Sequence, residues 1–274
     1  MSDTVHANLF EFESAEDFLQ GRILLIDKPL EWTSFDVVNK VRWLIRQNGG
    51  IKKIKVGHAG TLDPLATGVL VLCTGQLTKQ IEGFLADDKH YDGTMRLGAV
   101  TVSQDREQPE QEVLPMDSPV MQRLEHAGDG VFEGLLGEFR GAISQVPPSF
   151  SAKKVNGRRA YKSARKGELI AVPPAEVTVS RFEVSGLRSG TVDGGAPGML
   201  LDFEVDCSKG TYIRALARDL GAAAGCGAYL SKLRRTRSGD FSLSQCWQLD
   251  DLAARIERIT PLPEGHERAK TQAR

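Results

Sequence analysis

Cysteine is scarce in this chain of 274 residues, and its four copies lie too far apart to form a C-x-x-C pair. This spacing argues against a zinc site or a disulfide framework and favours small buried side chains. The five histidines match no H-E-x-x-H or similar ligand pattern, so we predict no metal. The four cysteines are Cys73, Cys207, Cys226 and Cys246.

Long apolar runs are missing as well, since none approaches the roughly 20 residues that cross a membrane. Residues 1–20 are acidic and lack the basic-then-apolar order of a secretory leader. We therefore expect a cytoplasmic protein that does not bind membranes. With 41% hydrophobic and 26% charged residues, the chain has an ordinary globular composition, suited to one large domain or one domain with an appendage.

The charges almost cancel, at 35 Lys and Arg against 36 Asp and Glu, but they are segregated along the chain. Residues 101–133 carry eight acids and two bases, whereas residues 151–168 and 209–237 each carry seven bases and one acid. Aromatic residues lie within or beside both basic runs. Solvated surface segments would explain one such run, but two runs with aromatics favour a nucleic acid as partner.

Hydrophobic periodicity predicts strands and helices that alternate without a regular βαβ rhythm. We therefore expect an α+β fold, with a mixed, largely antiparallel central sheet and flanking helices. Thr33 or Ser34 is predicted to cap a helix that stops at residues 48–50, and Gly221 to close a second helix that follows residues 208–210. Strands are predicted at 22–26, 69–73, 89–97, 176–184, 199–207 and 230–236, and a last helix at 250–258.

Residues 57–68 read GHAGTLDPLATG and form the most unusual segment of the chain. The small residues allow tight backbone bends and close approach of a ligand, and we expect a loop there that presents Asp63 and His58. The segment has neither the G-K-[ST] ending of a P-loop nor a G-x-G-x-x-G pattern, which argues against nucleotide phosphates. An Asp before a Pro is also a common turn starter, so a purely structural loop is the alternative.

This segment resembles the signature of the TruB-type tRNA pseudouridine synthases, bacterial enzymes that isomerise uridine 55 in the T-loop of tRNA. Further blocks resemble the same family in order and at plausible spacing, from about residue 21 to residue 252. One short motif would be weak evidence, but a series of ordered blocks is strong. The blocks are LLIDKP at 24–29, DKHY and RLG within 88–98, QVPPSFSA at 145–152 with Tyr161 beyond, CSKGTYIR at 207–214 and LRR at 233–235.

The resemblance implies a reaction that detaches uracil from C1′ of the ribose and reattaches it through C5. Substrate and product are isomers, so we expect no cofactor. By resemblance, Asp63 is the nucleophile and Arg214 is the cation that keeps its carboxylate ionised and in place. A helix-surface arginine is the alternative for Arg214.

A base inside a folded T-loop must leave its stack before it can react. By resemblance, Tyr91 stacks on the extruded uracil, while Tyr212 and Leu233 line the base pocket and His58 helps to displace the base. Tyr91 shares a predicted strand face with Met95 and Leu97, so core packing is its alternative. We expect the first basic run to contact RNA phosphates through Lys153, Lys154, Arg158, Arg159 and Lys162.

The chain departs from the family pattern in two places. Val102 stands where an aspartate is expected, although Asp105 matches the next acid in that block. The residues after 260 are too few for the C-terminal PUA domain that many members carry. We therefore predict an acidic extension at 1–20, a catalytic domain at 21–260 with an RNA-binding insertion around 104–175, and a polar tail at 261–274.

Two other functions stay open at the level of sequence. The basic and aromatic segments alone would suit a non-catalytic protein that binds RNA or folds tRNA. A hydrolase with Asp63 and His58 as a dyad would cleave the chain or release the base, but no Ser-His-acid or paired-carboxylate motif supports it. The leading interpretation is a monomeric, cofactor-free isomerase that acts on the T-arm of tRNA.

Overall fold

The computed structural model describes residues 9–85, 88–151, 153–155, 158–159, 171–193 and 195–264. The helices in these ranges are α1 (Ala15–Gln20), α2 (Ser34–Gly49), α3 (Ile81–Leu85), α4 (Pro119–Ala127), α5 (Gly130–Leu136), α6 (Ile213–Ala223) and α7 (Leu249–Ile256). The strands are β1 (Ile23–Lys28), β2 (Val56–Ala59), β3 (Ala66–Thr74), β4 (Lys89–Leu97), β5 (Gly141–Gln145), β6 (Lys154–Val155), β7 (Arg158–Arg159), β8 (Ala175–Gly190), β9 (Gly198–Cys207), β10 (Ala228–Ser238) and β11 (Phe241–Ser242).

The chain divides into two compact units. The first comprises Met1–Asp87 and Arg235–Arg274, and the second comprises Asp88–Arg234. Within the described residues, pairing joins nine strands into one sheet, and β6 and β7 form a separate two-stranded ribbon. Antiparallel pairing joins β1 with β3, β2 with β3, β4 with β9, β5 with β8 and β8 with β9. The predicted fold class, an α+β fold with a mostly antiparallel sheet, is confirmed.

Helix α2 begins and ends where its sequence predicts. Thr33 is the N-cap: its hydroxyl accepts a hydrogen bond from the Asp36 N–H at 3.0 Å, and the Asp36 carboxylate accepts one from the Thr33 N–H at 3.0 Å. This reciprocal pair satisfies two N–H groups that the helix itself cannot. At the other end Gly50 adopts a left-handed φ of 64°, which stops the helix.

The first unit is built around β3, which is buried along almost its whole length. Strand β1 pairs with it from Ile23 opposite Cys73 to Lys28 opposite Gly68, and β2 pairs with it from Val56 opposite Thr74 to Ala59 opposite Val71. Residues 57–59 therefore belong to a strand, and the loop predicted over 57–68 is confined to the six residues between β2 and β3.

The second unit contains β4, β9, β8 and β5, hydrogen-bonded in that order. The strand predicted at 199–207 is confirmed as β9, and its alternate residues Leu201, Phe203, Val205 and Cys207 are all buried. Strand β8 is longer than predicted, since it stays paired with β9 beyond an irregularity between Ser185 and Arg188. Such irregularities let a strand bend without losing its partner, and a sequence pattern does not reveal them.

The prediction that Gly221 closes helix α6 is wrong, because the helix continues to Ala223. A Cβ at Gly221 would lie 2.4 Å from the backbone nitrogen of Ala228. This glycine is therefore required by close packing against the following strand, and it is not a helix stop. The chain turns only later, at Gly225 and Gly227, which have φ values of 77° and 68°.

Three of the four cysteines, Cys73, Cys207 and Cys226, are buried free thiols, which confirms the prediction of small buried side chains. Cys246 is half-buried. Among the described residues, no helix combines the length and the apolar character that a membrane crossing demands.

Candidate active site

Asp63 lies on the short loop that joins β2 to β3. Leu62, on one side of it, is buried, whereas Asp63 itself is partly accessible. The Ala66 N–H donates to the Asp63 carbonyl oxygen at 3.0 Å, which closes a tight turn at the start of β3. Gly60 has a φ of 87° and lets the chain leave β2 abruptly. The loop thus presents one carboxylate at the end of a buried hairpin.

The peptides on both sides of Asp63 are held by side chains from the preceding elements. The Ser34 hydroxyl accepts a hydrogen bond from the Leu62 N–H at 2.8 Å and donates one to the Leu62 carbonyl at 3.1 Å. The Pro64 carbonyl accepts from the Lys28 ammonium at 3.2 Å and from the Glu31 N–H at 2.9 Å. Because both neighbours are fixed, the position from which the Asp63 side chain starts is also fixed.

Lys28 is fully buried, with 0% of its surface exposed. Its ammonium also donates to the carbonyls of Pro29 at 2.8 Å and Trp32 at 2.5 Å, so three carbonyl oxygens surround it. Burial lowers the pKa of Lys28 to about 8, and the negative charge of Asp63 opposes that shift. Lys28 belongs to the LLIDKP block, but the sequence alone gave it no place in the site.

His58 lies on β2 and is half-buried. Burial lowers its pKa, the positive charge of Arg235 lowers it further, and a hydrogen bond with the backbone of Gly60 acts in the opposite direction. The imidazole is therefore mainly neutral at pH 7. Its Nδ1 atom is buried and has no hydrogen-bond partner among the described residues. This environment does not favour an acid–base dyad that needs a protonated histidine.

Arg235 braces the same hairpin from β10, with 1% of its surface exposed. Its Nε donates to the Val69 carbonyl at 2.8 Å and its Nη2 to the Gly60 carbonyl at 3.2 Å. Gly68 has a φ of 106°, and a Cβ there would lie 2.1 Å from the Arg235 carbonyl oxygen. Both sides of the Asp63 loop thus depend on this one buried residue.

In the second unit, Tyr91 lies on β4 opposite Val205 of β9. It is almost entirely buried and shares a strand face with the buried residues Met95 and Leu97, as its alternation in the sequence predicts. Leu233 lies on β10 and is half-buried. The shared face by itself does not distinguish a base-stacking tyrosine from a core tyrosine.

Tyr212 is the N-cap residue of α6, and a buried glutamine holds its backbone at both polar atoms. The Gln145 side chain accepts from the Tyr212 N–H at 2.8 Å and donates to the Tyr212 carbonyl at 3.1 Å. Gln145 is the first residue of the QVPPSFSA block, whose part in the site the sequence did not reveal. It fixes the point where the CSKGTYIR block enters the helix.

Arg214 lies in the first turn of α6 and is 5% exposed, so the helix-surface alternative is wrong. Its guanidinium donates to the carbonyls of Ser103 at 2.9 Å and Phe150 at 2.8 Å, and it lies 3.6 Å from the Asp105 carboxylate. Asp105 is itself held by the Ser103 hydroxyl at 2.6 Å. The block in which Val102 replaces the expected aspartate therefore still supplies a buried acid beside Arg214.

The basic runs are only partly the positive surface that the sequence predicts. In the run at 209–237, Arg214 and Arg235 are buried and engaged with backbone carbonyls, so they are not available to phosphates. In the run at 151–168, Lys153 is half-buried, and the β6–β7 ribbon carries the other described members. These are Lys154, Arg158 and Arg159, while Lys162 lies outside the described residues.

The candidate residues divide between the two units. Asp63 and His58 belong to the first, together with the bracing residues Lys28 and Arg235. The remaining candidates, Tyr91, Tyr212, Arg214 and Leu233, belong to the second. In each unit the candidates lie on or next to buried strands or helix starts, whose backbone positions are well determined by hydrogen bonding.

Residues 46–213 match the N-terminal domain of the TruB family pseudouridylate synthases, and residues 214–262 match a tRNA pseudouridylate synthase B C-terminal domain. The chain belongs to the TruB family. It is therefore a pseudouridine synthase, an isomerase, and the resemblance seen in its sequence blocks is confirmed.

Curated TruB relatives match along most of the chain. "tRNA pseudouridine synthase B" of Parabacteroides distasonis is 44% identical over 242 residues, which cover 88% of this chain and 96% of that protein. The protein of the same name from Bacteroides thetaiotaomicron is 46% identical, with 88% and 95% covered. That from Mycobacterium leprae is 47% identical, and the match covers 84% of this chain and 68% of the relative.

Solved structures support the same fold. A chain of a Cbf5-Nop10-Gar1 complex superposes with a TM-score of 0.57 at 27% identity, covering 89% of this chain and 58% of that chain. A chain of an H/ACA RNP bound to a substrate RNA containing 2′-deoxyuridine superposes with a TM-score of 0.55 at 25% identity, covering 92% and 64%. This chain thus spans about three-fifths of the length of each of these two chains.

Proposed function

We propose that this TruB-family chain converts uridine to pseudouridine at position 55 in the T-loop of tRNA. The curated relatives that match along most of the chain bear the name tRNA pseudouridine synthase B. The observation that carries the proposal is a single carboxylate, Asp63, on a loop whose flanking peptides are held by Ser34, Lys28 and Glu31. A nucleophile must be held in this way if it is to meet one atom of a nucleoside.

The chemistry needs no outside reagent. The C1′–N1 bond of uridine breaks, a C1′–C5 bond forms, N1 gains a proton and C5 loses one, so that atoms and electrons balance. An ionised carboxylate can act as the nucleophile that divides this exchange into easier steps. We assign that step to Asp63, acting on a uridine that has been flipped out of the T-loop.

The remaining roles are proposed as the resemblance implies them. Tyr91 stacks on the extruded base, Tyr212 and Leu233 line its pocket, Arg214 supplies the cation for the carboxylate, and His58 assists the displacement of the base. Since His58 is mainly neutral and half-buried, we assign it a hydrogen-bonding part rather than a charged one.

Binding of the tRNA would rest on Lys153 and its basic neighbours within the insertion around 104–175. We propose that this insertion belongs to a catalytic domain over 21–260, with an acidic extension before it and a polar tail after it. We also propose a monomer that acts in the cytoplasm. Neutralising the basic neighbours together should weaken tRNA binding and reduce its dependence on salt, with little effect on folding. Those neighbours are Lys154, Arg158, Arg159 and Lys162.

The test is the Asp63→Asn variant, which removes the negative charge with almost no change of shape. We expect it to abolish tritium release from C5-labelled uridine in T-loop RNA while tRNA binding is largely kept. Asp117→Asn, which neutralises an exposed acid in the second unit, is the matched control and should retain activity. Near-normal turnover by Asp63→Asn would show that the nucleophile is wrongly assigned.

The same experiment separates the other functions. A non-catalytic binder would leave every uridine of a tRNA transcript unmodified even with excess wild-type protein. A hydrolase would produce free uracil or shortened RNA. Mapping of pseudouridine in a treated transcript tests the position within the T-loop.

A further inference from the structure

A third basic segment lies in the first unit, next to the Asp63 loop in the chain. Residues 37–62 contain six Lys and Arg and no Asp or Glu. Unlike the run at 151–168, it has every member in the described part of the chain. We name it the α2 basic surface, and its members are Lys40, Arg42, Arg46, Lys52, Lys53 and Lys55.

The charges of this surface are accessible. Arg46, Lys53 and Lys55 are exposed, while the intervening residues Ile51 and Ile54 are buried and anchor the segment. Arg42 donates to the Val56 carbonyl at 3.1 Å and thereby ties the helix face to the first residue of β2. Three of the positive charges thus lie on the helix, and the other three lie on the connection to β2, which Ile51 and Ile54 anchor.

Two large aromatic side chains are exposed on the same helix. Trp43 is 52% exposed and Phe35 is 60% exposed, although exposure of such rings to water is unfavourable. The Lys40 ammonium lies 5.3 Å from the centre of the Trp43 ring, which places a cation and an aromatic face side by side. Exposed aromatics between lysines and arginines are typical of surfaces that bind nucleic acid backbones and unpaired bases.

The surface is also coupled to the candidate nucleophile. Helix α2 begins at Ser34, whose hydroxyl holds both backbone polar atoms of Leu62, the residue before Asp63. The helix has 16 residues and is therefore about 24 Å long. Its basic residues begin less than two turns from Ser34. An RNA whose uridine reaches Asp63 would bring its neighbouring phosphates within reach of this helix.

We propose that the α2 basic surface binds the phosphates of the substrate tRNA and that Trp43 packs against a base or ribose of the same RNA. The inference rests on the proposed function and adds to it a second RNA-binding surface, located in the unit that carries Asp63. An acidic protein would meet the same charges, but the exposed aromatics on the helix that holds the Asp63 loop favour the RNA substrate.

The test compares two charge-matched double variants of the full chain. Arg46→Gln/Lys53→Gln removes two exposed charges from the α2 basic surface, and Lys79→Gln/Arg258→Gln removes two exposed charges elsewhere in the same unit. Thermal unfolding by circular dichroism first establishes that both fold like the wild type. The dissociation constant for an unmodified tRNA transcript is then measured at several salt concentrations, and pseudouridine formation at saturating tRNA.

We expect the first variant to bind tRNA about tenfold more weakly at low salt, with a slope of log Kd against log salt lower by about 1 to 2. The control should match the wild type. Trp43→Ala should weaken binding about fivefold or more with an unchanged slope, because stacking releases no counterions. For all variants, kcat at saturating tRNA should stay near the wild-type value.

Wild-type affinity and slope in Arg46→Gln/Lys53→Gln, together with wild-type affinity in Trp43→Ala, would overturn the proposal and leave an acidic protein as the partner to seek. That result is distinct from a failure of the proposed function, in which the wild-type chain itself would form no pseudouridine in tRNA.

Discussion

The ammonium of Lys28 donates a hydrogen bond to the carbonyl oxygen of Pro64, the residue that follows Asp63. A buried lysine is costly, because an ammonium loses its hydration on burial. Here three carbonyl oxygens replace the water. The charge thus serves to hold the loop that carries the candidate nucleophile.

Replacement of Lys28 by Met should therefore loosen this loop. We expect Lys28→Met to lower kcat and to reduce the free energy of unfolding by about 1 to 3 kcal/mol, since buried carbonyls lose their donor. Urea unfolding and tritium release measure the two effects. Lys79→Met, the same change at an exposed position, should alter stability by less than about 0.5 kcal/mol. Equal effects in the two variants would contradict the bracing function.

The depressed pKa of Lys28 also predicts a pH dependence of stability. The pKa is about 8 in the folded protein and 10.5 in the unfolded chain, so the unfolded chain binds more protons between these values. Lys28 therefore contributes stability that is present above pH 10.5 and is lost as the pH falls through 8.

The measurement is the difference in unfolding free energy between the wild type and Lys28→Met at pH 7.5 and pH 10. We expect the stability of the wild type relative to Lys28→Met to be greater at pH 10 than at pH 7.5, by up to about 3 kcal/mol. Burial raises the pKa of Cys73 and Cys207 to about 12, which lowers stability at high pH in both proteins and cancels in the difference. A difference that is independent of pH would show that folding does not lower the pKa of Lys28.

A side chain at Gly68 should disturb the hairpin that carries Asp63. The left-handed φ and the 2.1 Å approach to the Arg235 carbonyl predict that Gly68→Ala loses about 3 kcal/mol or more of stability, or fails to fold. Gly83→Ala is the control, because a Cβ at this helical glycine would meet nothing within 4 Å. It should be neutral or stabilise by up to about 1 kcal/mol, as judged by thermal unfolding.

Arg214 should not tolerate lysine. A lysine retains the charge but cannot reach the carbonyls of Ser103 and Phe150 together with the Asp105 carboxylate. We expect Arg214→Lys to lose about 2 kcal/mol of stability and most of its turnover. Arg218 lies one turn further along α6, in a partly exposed ion pair with Asp219. Arg218→Lys should therefore change neither stability nor turnover appreciably. Full activity of Arg214→Lys would remove Arg214 from the site.

The thiols should differ in reactivity. Cys73, Cys207 and Cys226 are buried with raised pKa values, so they offer little thiolate to a reagent. A native sample treated with a thiol reagent at pH 8 should react quickly only at Cys246, and all four cysteines should react in denaturant. Rapid modification of a second thiol in the native sample would contradict the packing described for these strands.

The sequence predicted the ends of helix α2 correctly, because both are determined by residues close to them in the chain. Thr33 and Asp36 form their capping box within one turn, and Gly50 terminates the same helix locally. The start of the Asp63 loop was predicted at residue 57, which is too early, because residues 57–59 pair with β3 as part of β2. A segment rich in glycine gives no sign of that partner.

Charge patterns predicted the composition of the basic runs but not the position of each side chain. The charge pattern counts Arg214 and Arg235 as members of a basic run on the surface, yet tertiary hydrogen bonds place both in the interior. Lys28 and Gln145 were visible only as members of sequence blocks, because their partners are backbone carbonyls and N–H groups that no residue type reveals.

The guanidinium of Arg235 holds the Val69 carbonyl across 166 positions of the chain. Contacts between such distant positions form late, because a long stretch of polypeptide must first be ordered. During synthesis on the ribosome, the loop that presents Asp63 would lack its brace until β10 had emerged. A nascent chain that ends after α6 would hold this loop through Ser34 and Lys28 but not through Arg235, so the enzyme would become competent only after β10 had been synthesised.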